Sequence, residues 1–329
     1  MSKFVVITTI NSPTEAVIKH VKDLNSTLII VADRKTPKIL LEGKNLTVLD
    51  MEWQKRTEFS FAKMCPLNHY SRKNIGYLYA AQNGASAILD TDDDNIPYDG
   101  MMAQFEVEGK ECDIVSAPKF ANIYRMFTEE FIWPRGFPLS MIKDSPPIET
   151  RAGLARNISL VQGLADGDTD VDAIYRLTMG GSVKFRNRKP VVLASGIYSS
   201  VNSQSTMWYG EAFPYLYLPV TVSFRVTDIL RGYIAQRGLA AMGKSVGFTG
   251  SVVFQKRNPH NLMKDFADEI ELYLHTERLI SILDNSTLSG NAASDIRILY
   301  ESLAENNLVK KEELGVLDAW LSDLEAHRK

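Results

Sequence analysis

Cysteine is scarce in this sequence, and long apolar runs are missing from it. Only Cys65 and Cys112 occur among 329 residues, so a disulfide framework is not expected and a reducing compartment is favoured. No run approaches the roughly 20 apolar residues that cross a membrane. The apolar stretch after Met1 is also too short for a signal peptide. We therefore expect a soluble, cytoplasmic protein without a membrane span.

An excess of either charge is also missing. Lys and Arg total 37, Asp and Glu total 40, and the formal net charge is −3. This balance predicts no general affinity for nucleic acid or for an anionic membrane. The hydrophobic share of 45% is enough for a full core in one large domain or two smaller ones.

What the sequence does contain is a cluster of aspartates directly after a short apolar run. Residues 87–89 predict a buried strand, and Asp90, Asp92, Asp93 and Asp94 follow within five positions. Carboxylates this close repel one another unless solvent or a divalent cation neutralises them. Because ligands bind at the carboxyl ends of strands in open α/β sheets, the cluster marks a candidate binding site.

The first 50 residues predict a parallel sheet whose edge carries further polar residues. Strands are expected at 4–9, 27–32 and 45–49, with a helix capped by Ser12 between the first two. The loops after these strands would open on the same edge as the aspartates, where a nucleotide can lie. The residues expected to line it are Thr8, Asn11 and Asp33.

A basic turn begins the next predicted helix, which runs from Ser71 to about Gly84. Arg72 and Lys73 fall in its first turn, where the helix dipole disfavours cations. Two interpretations stay open for this turn: a solvated surface turn, or contact between Arg72, Lys73 and Asn74 and a base or diphosphate near the aspartates.

Residues 122–178 are predicted to form a long loop, because they are rich in proline, glycine and aromatic residues. Such a loop is usually functional or disordered, and the aromatic residues argue against disorder. Alternate aspartates from 166 to 172 resemble a calcium loop, but no glutamate follows at the required spacing. Two interpretations of this segment remain: an acceptor-side loop, which would contact the acceptor of a transferred group, and a structural loop. The candidates for a sugar and acceptor pocket are Trp133, Arg135, Gly136, Gln162, Asp172, Trp208 and Arg225.

The second half predicts strands at 190–194, 218–224 and 246–254, then amphipathic helices from 262 with a break near 285–290. Asp228 begins a predicted helix and is a capping residue, an active-site carboxylate, or both. His260 follows the last predicted strand and is either a surface residue or a metal ligand. The C-terminal helices are expected to cap the domain or to form a homodimer.

An Asp-x-Asp sequence after a strand fits two chemistries. In a nucleotide-sugar glycosyltransferase, the pair holds Mn²⁺ or Mg²⁺, which acts as a Lewis acid on the diphosphate leaving group. In a phosphatase of the haloacid dehalogenase type, Asp90 would be the nucleophile and Asp92 the acid/base. That fold expects the motif on its first strand, whereas three predicted strands come earlier here, so the phosphatase is disfavoured.

Longer motifs resemble a known family. Residues 91–95, 131–139 (Phe-Ile-Trp-Pro-Arg-Gly-Phe-Pro-Leu), 219–229 and 231–233 resemble the STELLO family of glycosyltransferases. They are more distantly similar to the reversibly glycosylated polypeptides, the UDP-arabinopyranose mutases. The resemblance covers about residues 1–270. It implies an α/β, GT-A (Rossmann-like) fold, a UDP-sugar-type donor and a divalent cation, Mn²⁺ or Mg²⁺.

Carried over by position, the resemblance assigns roles to several of these residues. Asp92 and Asp94 would bind the metal and the donor beside Asp93, and His260 would complete the metal site. Asp228 would face the acceptor and act as general base if the enzyme inverts configuration. We expect a GT-A domain at 1–260, with a nucleotide-binding half (1–120) and an acceptor half (121–260), and a helical extension at 261–329.

The sequence thus predicts a metal-dependent hexosyl- or pentosyltransferase. It would transfer sugar from a UDP-sugar to a glycan or lipid-linked glycan in the synthesis of a surface polysaccharide. Two alternatives stay open: a nucleotide-sugar mutase, and a catalytically silent GT-A-like binding or scaffold protein.

Overall fold

The computed structural model describes residues 2–23, 25–145, 147–256 and 261–326. Within these ranges, eleven strands form one mixed sheet, and helices pack against it. The strands are β1 (Lys3–Thr9), β2 (Thr27–Ala32), β3 (Leu46–Leu49), β4 (Ala87–Thr91), β5 (Asn95–Pro97), β6 (Glu111–Ser116), β7 (Glu149–Leu154), β8 (Ile158–Gly167), β9 (Val191–Leu193), β10 (Ser205–Tyr209) and β11 (Ser245–Gln255).

Helices of four to 24 residues connect and cover the strands. The α-helices are α1 (Glu15–Lys22), α2 (Met51–Arg56), α3 (Ser60–Met64), α4 (Lys73–Gln82), α5 (Met101–Gln104), α6 (Tyr124–Phe127), α7 (Ala173–Thr178), α8 (Phe224–Ala241), α9 (Leu262–Asn285), α10 (Ala292–Glu305) and α11 (Glu313–Ala326). Short 3₁₀ turns occur at Tyr70–Arg72, Leu139–Met141 and Gly210–Leu216. None of the helices in the described ranges is both long and apolar enough to cross a membrane.

The order of the strands brings four chain segments to one edge of the sheet. The order is β3-β2-β1-β4-β10-β8-β11-β9-β6-β7, and β5 pairs with β11 outside this path. β1 pairs in parallel with both β2 and β4, so their carboxyl ends meet at one edge. β10 is antiparallel to β4 and β8. The residues just before β10 therefore lie at the edge where β4 ends.

The βαβ start is confirmed, although its helix begins later than expected. α1 is capped by Thr14, whose hydroxyl accepts the amide of Val17; the prediction of a Ser12 cap is wrong. The Thr14 hydroxyl also donates to the carbonyl of Asp93. This hydrogen bond connects the N-cap residue of α1 to the aspartate loop, which explains why Thr14 rather than Ser12 caps the helix.

The long loop predicted for 122–178 is wrong in its second half, which contains β7, β8 and α7. β8 lies inside the sheet between β10 and β11. Its glycines suggest a loop in the sequence, but one of them is required by packing. A Cβ at Gly163 would lie 2.3 Å from Cγ2 of Val252 on β11, so only glycine allows this close approach.

The strand predicted at 218–224 is also wrong. The amides of Val220 and Thr221 donate to the buried carboxylate of Glu313, at 2.9 and 2.7 Å, instead of to a neighbouring strand. Helix α8 follows directly, with Ser223 as its N-cap residue. It begins at Phe224, earlier than the expected start at Thr227. Strands predicted at 4–9, 27–32, 45–49, 87–89 and 246–254 are confirmed with small shifts of their ends.

The C-terminal helices pack onto the sheet layer through an aromatic cluster. Trp320 of α11 is fully buried, its ring lies near those of Phe61 and Tyr217, and its indole N–H donates to the carbonyl of Pro214 at 3.1 Å. The predicted break after α9 is confirmed, and Asp295 accepts the amides of the linking residues Ser289 and Gly290. These helices and the earlier strands contribute to one continuous hydrophobic core.

Candidate functional site

A cavity of about 550 Å³ opens at the carboxyl ends of β1, β2 and β4. Its walls come from the loops after these strands, from the segment before α4, and from the first turns of α8. The lining residues are Thr8, Thr9, Ile10, Asn11, Asp33, Lys35, Asn68, His69, Tyr70, Asp92, Asp93, Asp94, Arg135, Asp170, Gln204, Phe224, Arg225, Asp228 and Gln255.

Asp90, the first aspartate of the cluster, lies below this cavity and does not line it. It is a buried residue next to the last position of β4. One carboxylate oxygen lies 2.6 Å from Nζ of Lys73, and the other lies 2.6 Å from Nη2 of Arg231. All three side chains are at most 1% exposed. A buried charge needs such partners, so Asp90 has a structural role in holding α4 and α8 together.

Asp92 connects this buried ion pair to the cavity. Its Oδ1 accepts hydrogen bonds from the Tyr70 hydroxyl at 2.7 Å and from Nζ of Lys73 at 2.9 Å, while its side chain is 27% exposed. Burial raises the pKa of Asp92, and the negative charge of Asp90 adds to this, although Lys73 opposes both. Asp90 and Asp92 in turn raise the pKa of Lys73 against the effect of its burial. Lys73 thus stays a cation beneath the cavity floor.

The next two aspartates belong to the cavity wall. The Asp93 carboxylate accepts hydrogen bonds from the Thr9 hydroxyl and from Nδ2 of Asn11, the latter at 3.0 Å. This contact joins the loop after β1 to the loop after β4. Asp94 accepts from Nε2 of Gln255 at 3.2 Å, at the end of β11. The acidic loop after β4 is therefore hydrogen-bonded to the loop after β1 and to the end of β11.

Asp33 is fixed at the wall formed by β2. Its carboxylate accepts the amide of His69 at 3.0 Å and the amide of Arg34 at 2.6 Å. Nδ1 of His69 accepts the amide of Ser71 at 3.2 Å, and burial lowers the pKa of this imidazole. His69 is therefore neutral at pH 7, with its proton on Nε2.

Across the cavity, Arg135 lies between two buried carboxylates. Its Nε and Nη2 donate to Asp170 at 2.8 and 2.9 Å, and its Nη1 and Nη2 donate to Asp228 at 3.0 and 2.8 Å. The amide of Ser203 adds a bond to Asp228 at 3.2 Å. Burial alone would raise the pKa of Asp228, but the adjacent Arg135 lowers it below its ordinary value. Asp228 is thus an ionised carboxylate at neutral pH.

The cavity brings together about half of the residues predicted from the sequence. Those that line it are Thr8, Asn11, Asp33, Asp92, Asp93, Asp94, Arg135, Arg225 and Asp228. Arg225 is also bound to Glu269 of α9, with its Nε 2.7 Å from a carboxylate oxygen. His260 lies outside the described residues.

Two residues of the basic turn point away from the cavity and do not line it. Arg72 is buried, and its Nε donates to Gln54 at 2.9 Å while Nη1 donates to the carbonyl of Cys65 at 2.9 Å. Asn74 exchanges two hydrogen bonds of 2.9 Å with the backbone of Leu218. Arg72 thus connects the start of α4 to Gln54 and Cys65, and Asn74 connects it to Leu218. Lys73 also does not line the cavity, and it is connected to the cavity wall through Asp92 and through the Tyr70 hydroxyl, at 2.9 and 3.1 Å.

The remaining candidates of the acceptor half support the cavity from behind. The Trp133 indole donates to Asp172 at 2.6 Å, and Asp172 also caps α7. Nε2 of Gln162 donates to Asn202 at 3.0 Å. Trp208 is fully buried. Gly136 lies against Ile229 of α8 with φ of +84°. None of these five predicted residues, Trp133, Gly136, Gln162, Asp172 and Trp208, lines the cavity.

Several lining residues were not among the sequence candidates, including Tyr70, Asp170, Gln204, Phe224 and Gln255. The Phe224 ring is 51% exposed and meets the Tyr70 ring edge-on at a centroid distance of 5.2 Å. Asp170 could have been proposed from the sequence, because it belongs to the series of alternate aspartates from 166 to 172. Gln204 and Gln255 could not have been proposed from the sequence, because their position depends on how β10 and β11 insert into the sheet.

The cavity offers carboxylates to a metal but not a full set of ligands. In the described ranges, no group of three His, Cys, Asp or Glu side chains is placed to hold a metal ion. Asp92 and Asp94 both line the cavity. Mg²⁺ is commonly held by one or two carboxylates together with water and substrate phosphate oxygens, so the two carboxylates fit a metal that arrives with a diphosphate.

The mixed α/β sheet, with helices packed on it and an acidic loop at its strand ends, is consistent with a GT-A-like glycosyltransferase fold. The family model of STELLO glycosyltransferases matches residues 225–328, which contain Asp228 and the C-terminal helices. Two Arabidopsis thaliana proteins are similar to this chain, Probable glycosyltransferase STELLO1 and Probable glycosyltransferase STELLO2. Each is 28% identical to it over an alignment that covers 98% of this chain. The resemblance predicted from the sequence is confirmed: the chain is similar to the STELLO glycosyltransferases. It spans 44% of the length of these two relatives.

Proposed function

We propose that this chain is a metal-dependent glycosyltransferase that moves a hexosyl or pentosyl group from a UDP-sugar to a glycan or lipid-linked glycan. The proposal includes the predicted role in surface polysaccharide synthesis and the cytoplasmic location. One observation carries it: the acidic loop of Asp92, Asp93 and Asp94 and the ionised Asp228 share one cavity at the strand ends. A donor diphosphate and an acceptor hydroxyl can therefore meet inside it.

The donor would lie along the ends of β1, β2 and β4. Thr8, Asn11 and Asp33 supply polar groups for a nucleoside, and Asp92 and Asp94 would hold Mn²⁺ or Mg²⁺, with His260 as the further ligand expected from the sequence. When bound, the metal would supply Lewis-acid stabilisation of the diphosphate leaving group. Lys73 keeps Asp92 in place from below, at 2.9 Å.

The acceptor would lie on the side of Arg135 and Asp228. Both oxygens of Asp228 are held by Arg135, so the carboxylate cannot turn away from the cavity. Its lowered pKa makes it a weak base, because a carboxylate stabilised as an anion has less affinity for a proton. In our proposal Asp228 accepts a hydrogen bond from the acceptor hydroxyl and orients it, and removes its proton only as the transfer proceeds.

A silent binding or scaffold protein is the second candidate, and one observation favours it. Asp92 and Asp228 each already have a cationic partner in the chain, Lys73 and Arg135 respectively. Such pairing satisfies the charges without any substrate. The two candidates differ in their need for a metal and in whether sugar is transferred.

Calorimetric titration of the protein with UDP, with Mn²⁺ or with EDTA, tests the donor and metal assignments. We expect binding that requires Mn²⁺ and that falls at least about tenfold in Asp94→Ala, a loss of about 1.4 kcal/mol. Asp99→Ala is the matched control, because the Asp99 side chain is 97% exposed outside the cavity, and its affinity should equal that of the wild type.

Two results would contradict the proposal: UDP binding that is indifferent to EDTA, and an unchanged affinity in Asp94→Ala. Binding without sugar transfer to any glycan favours the silent candidate. Isomerisation of a labelled UDP-sugar without an acceptor indicates the predicted alternative, a mutase.

A further inference from the structure

An exposed apolar stripe runs along α9, on the side of the helix that faces away from the core. Met263, Ile270 and Leu274 are 64%, 38% and 68% exposed, and Ala267 between them is exposed as well. The spacing of four, three and four residues places these side chains within about 60° around the helix axis. The opposite side is buried, as at Leu279. Helix α9 thus has two apolar sides, and the described part of the chain covers one of them.

The stripe is self-complementary. Its spacing is the same in both directions about the midpoint between Ala267 and Ile270. A two-fold axis through this midpoint and perpendicular to α9 would place Met263 opposite Leu274 of a second copy, and Ala267 opposite its Ile270. The small alanine near the centre lets the helices approach closely. Dimers with such a two-fold axis are the commonest protein oligomers.

Charges beside the stripe favour an antiparallel pair of helices. Lys264 and Glu271 are exposed and lie on the same flank, within about 20° of each other around the axis. The Glu271 side chain is 66% exposed, with His275 at 3.4 Å. The two-fold axis keeps this flank on one side in both copies. Lys264 of each copy then lies within about 3 Å, measured along the axis, of Glu271 of the other.

A parallel pair lacks this complementarity. The flank with Lys264 and Glu271 would then face the other flank, where Phe266 and Tyr273 lie with their rings 5.5 Å apart. Lys264 and Glu271 would meet no opposite charge on that flank. The one exposed pair of opposite charge on the described helix that a parallel arrangement brings close, Arg278 and Glu277, is already bonded within the chain, Arg278 to the carbonyl of Asn306 and Glu277 to Ser140. The antiparallel arrangement forms two opposite-charge pairs beside the apolar contact, so the charges select this orientation and a second copy as the partner.

We propose that the chain forms a homodimer through antiparallel pairing of α9, with Met263, Ala267, Ile270 and Leu274 in the contact and Lys264 paired with Glu271 of the second copy. The contact is about 16 Å long, so the dimer is small and depends on protein concentration. No described residue of α9 lines the cavity. The dimer is therefore independent of the function proposed above.

Sedimentation velocity over a series of protein concentrations tests the dimer. We expect the wild type to pass from the monomer mass of 36.9 kDa towards twice that value as the concentration rises. Leu274→Glu should stay monomeric, because the new carboxylate would be buried in an apolar contact. Leu40→Glu is the matched control: Leu40 is 78% exposed outside the stripe, and this variant should dimerise like the wild type.

Charge reversal tests the orientation. Lys264→Glu and Glu271→Lys each place like charges opposite one another twice, so the dissociation constant of the dimer should rise at least about tenfold. The double variant restores opposite charges and should return to within about threefold of the wild type. Circular dichroism verifies that each variant is folded. A wild type that is monomeric at every concentration, a Leu274→Glu dimer, or a double variant as weak as either single one overturns the proposal.

Discussion

Replacement of Arg135 by methionine is the sharpest test of the charge network around the cavity. The Asp170 and Asp228 side chains are 5% and 9% exposed, and both lose their shared cation in Arg135→Met. At least one of them must then take up a proton. Moving a carboxyl from its ordinary pKa of about 3.9 to the protonated form costs about 4 kcal/mol at pH 7 and about 1.5 kcal/mol at pH 5. This agrees with the 3–5 kcal/mol typical for breaking a buried ion pair.

The sign of the pH dependence is part of this prediction. In the wild type, the lowered pKa of Asp228 stabilises the fold above the unfolded pKa, and that contribution is lost as the pH falls through the folded pKa. In Arg135→Met, the unpaired carboxyl has a raised pKa, so its protonation stabilises the fold at low pH and this is lost as the pH rises. The stability difference between the two proteins should therefore grow from pH 5 to pH 7.

Urea unfolding at pH 5, 6 and 7 measures this difference. Arg186→Met is the control, because Arg186 and its partner Glu129 are 53% and 85% exposed; the loss there should stay below about 1 kcal/mol at every pH. A loss for Arg135→Met that is the same at pH 5 and pH 7, or below about 1 kcal/mol at pH 7, would refute the reasoning.

Two further predictions concern residues next to or bonded to Arg135. Gly136→Ala should destabilise the fold by about 2–4 kcal/mol in thermal unfolding, because φ is +84° and the new Cβ would lie 2.4 Å from Cγ2 of Ile229. Gly84→Ala has a φ of +77° with open space around it, so an equal loss there would remove the packing argument. Asp228→Asn should spare UDP binding and lower turnover about 10²-fold, as followed by sugar transfer with the donor held at saturation. Unchanged turnover would remove Asp228 from the proposed mechanism.

The fold could be predicted where the pattern of residues is local. β1, β2 and β4 are short apolar runs that end in polar residues, and such runs mark buried strands whatever surrounds them. β8 escaped prediction because its glycines and Gln162 are explained only by its neighbours. Gly163 leaves room for Val252, and Gln162 bonds to Asn202. These are contacts between residues far apart in the chain.

The site shows the same division. The aspartate cluster predicted the edge of the sheet at which the cavity opens, because adjacent carboxylates are recognisable in the sequence itself. The sequence did not distinguish the buried Asp90, paired with Lys73 and Arg231, from Asp92 at the cavity. It also did not show that Arg72 turns inward to Gln54. Partners brought together by the fold decide which charged residue faces the cavity and which is neutralised beneath it.

The position of β11 has a consequence for how the protein is made on the ribosome. This strand lies between β8 and β9 and also pairs with β5, yet it is the last strand to emerge among the described residues. Until residue 255 has left the exit tunnel, β8 exposes an unpaired backbone edge and apolar side chains, which are a template for aggregation. Because β11 completes the sheet last, this edge of β8 stays open to wrong pairing while the chain between the two strands is synthesised.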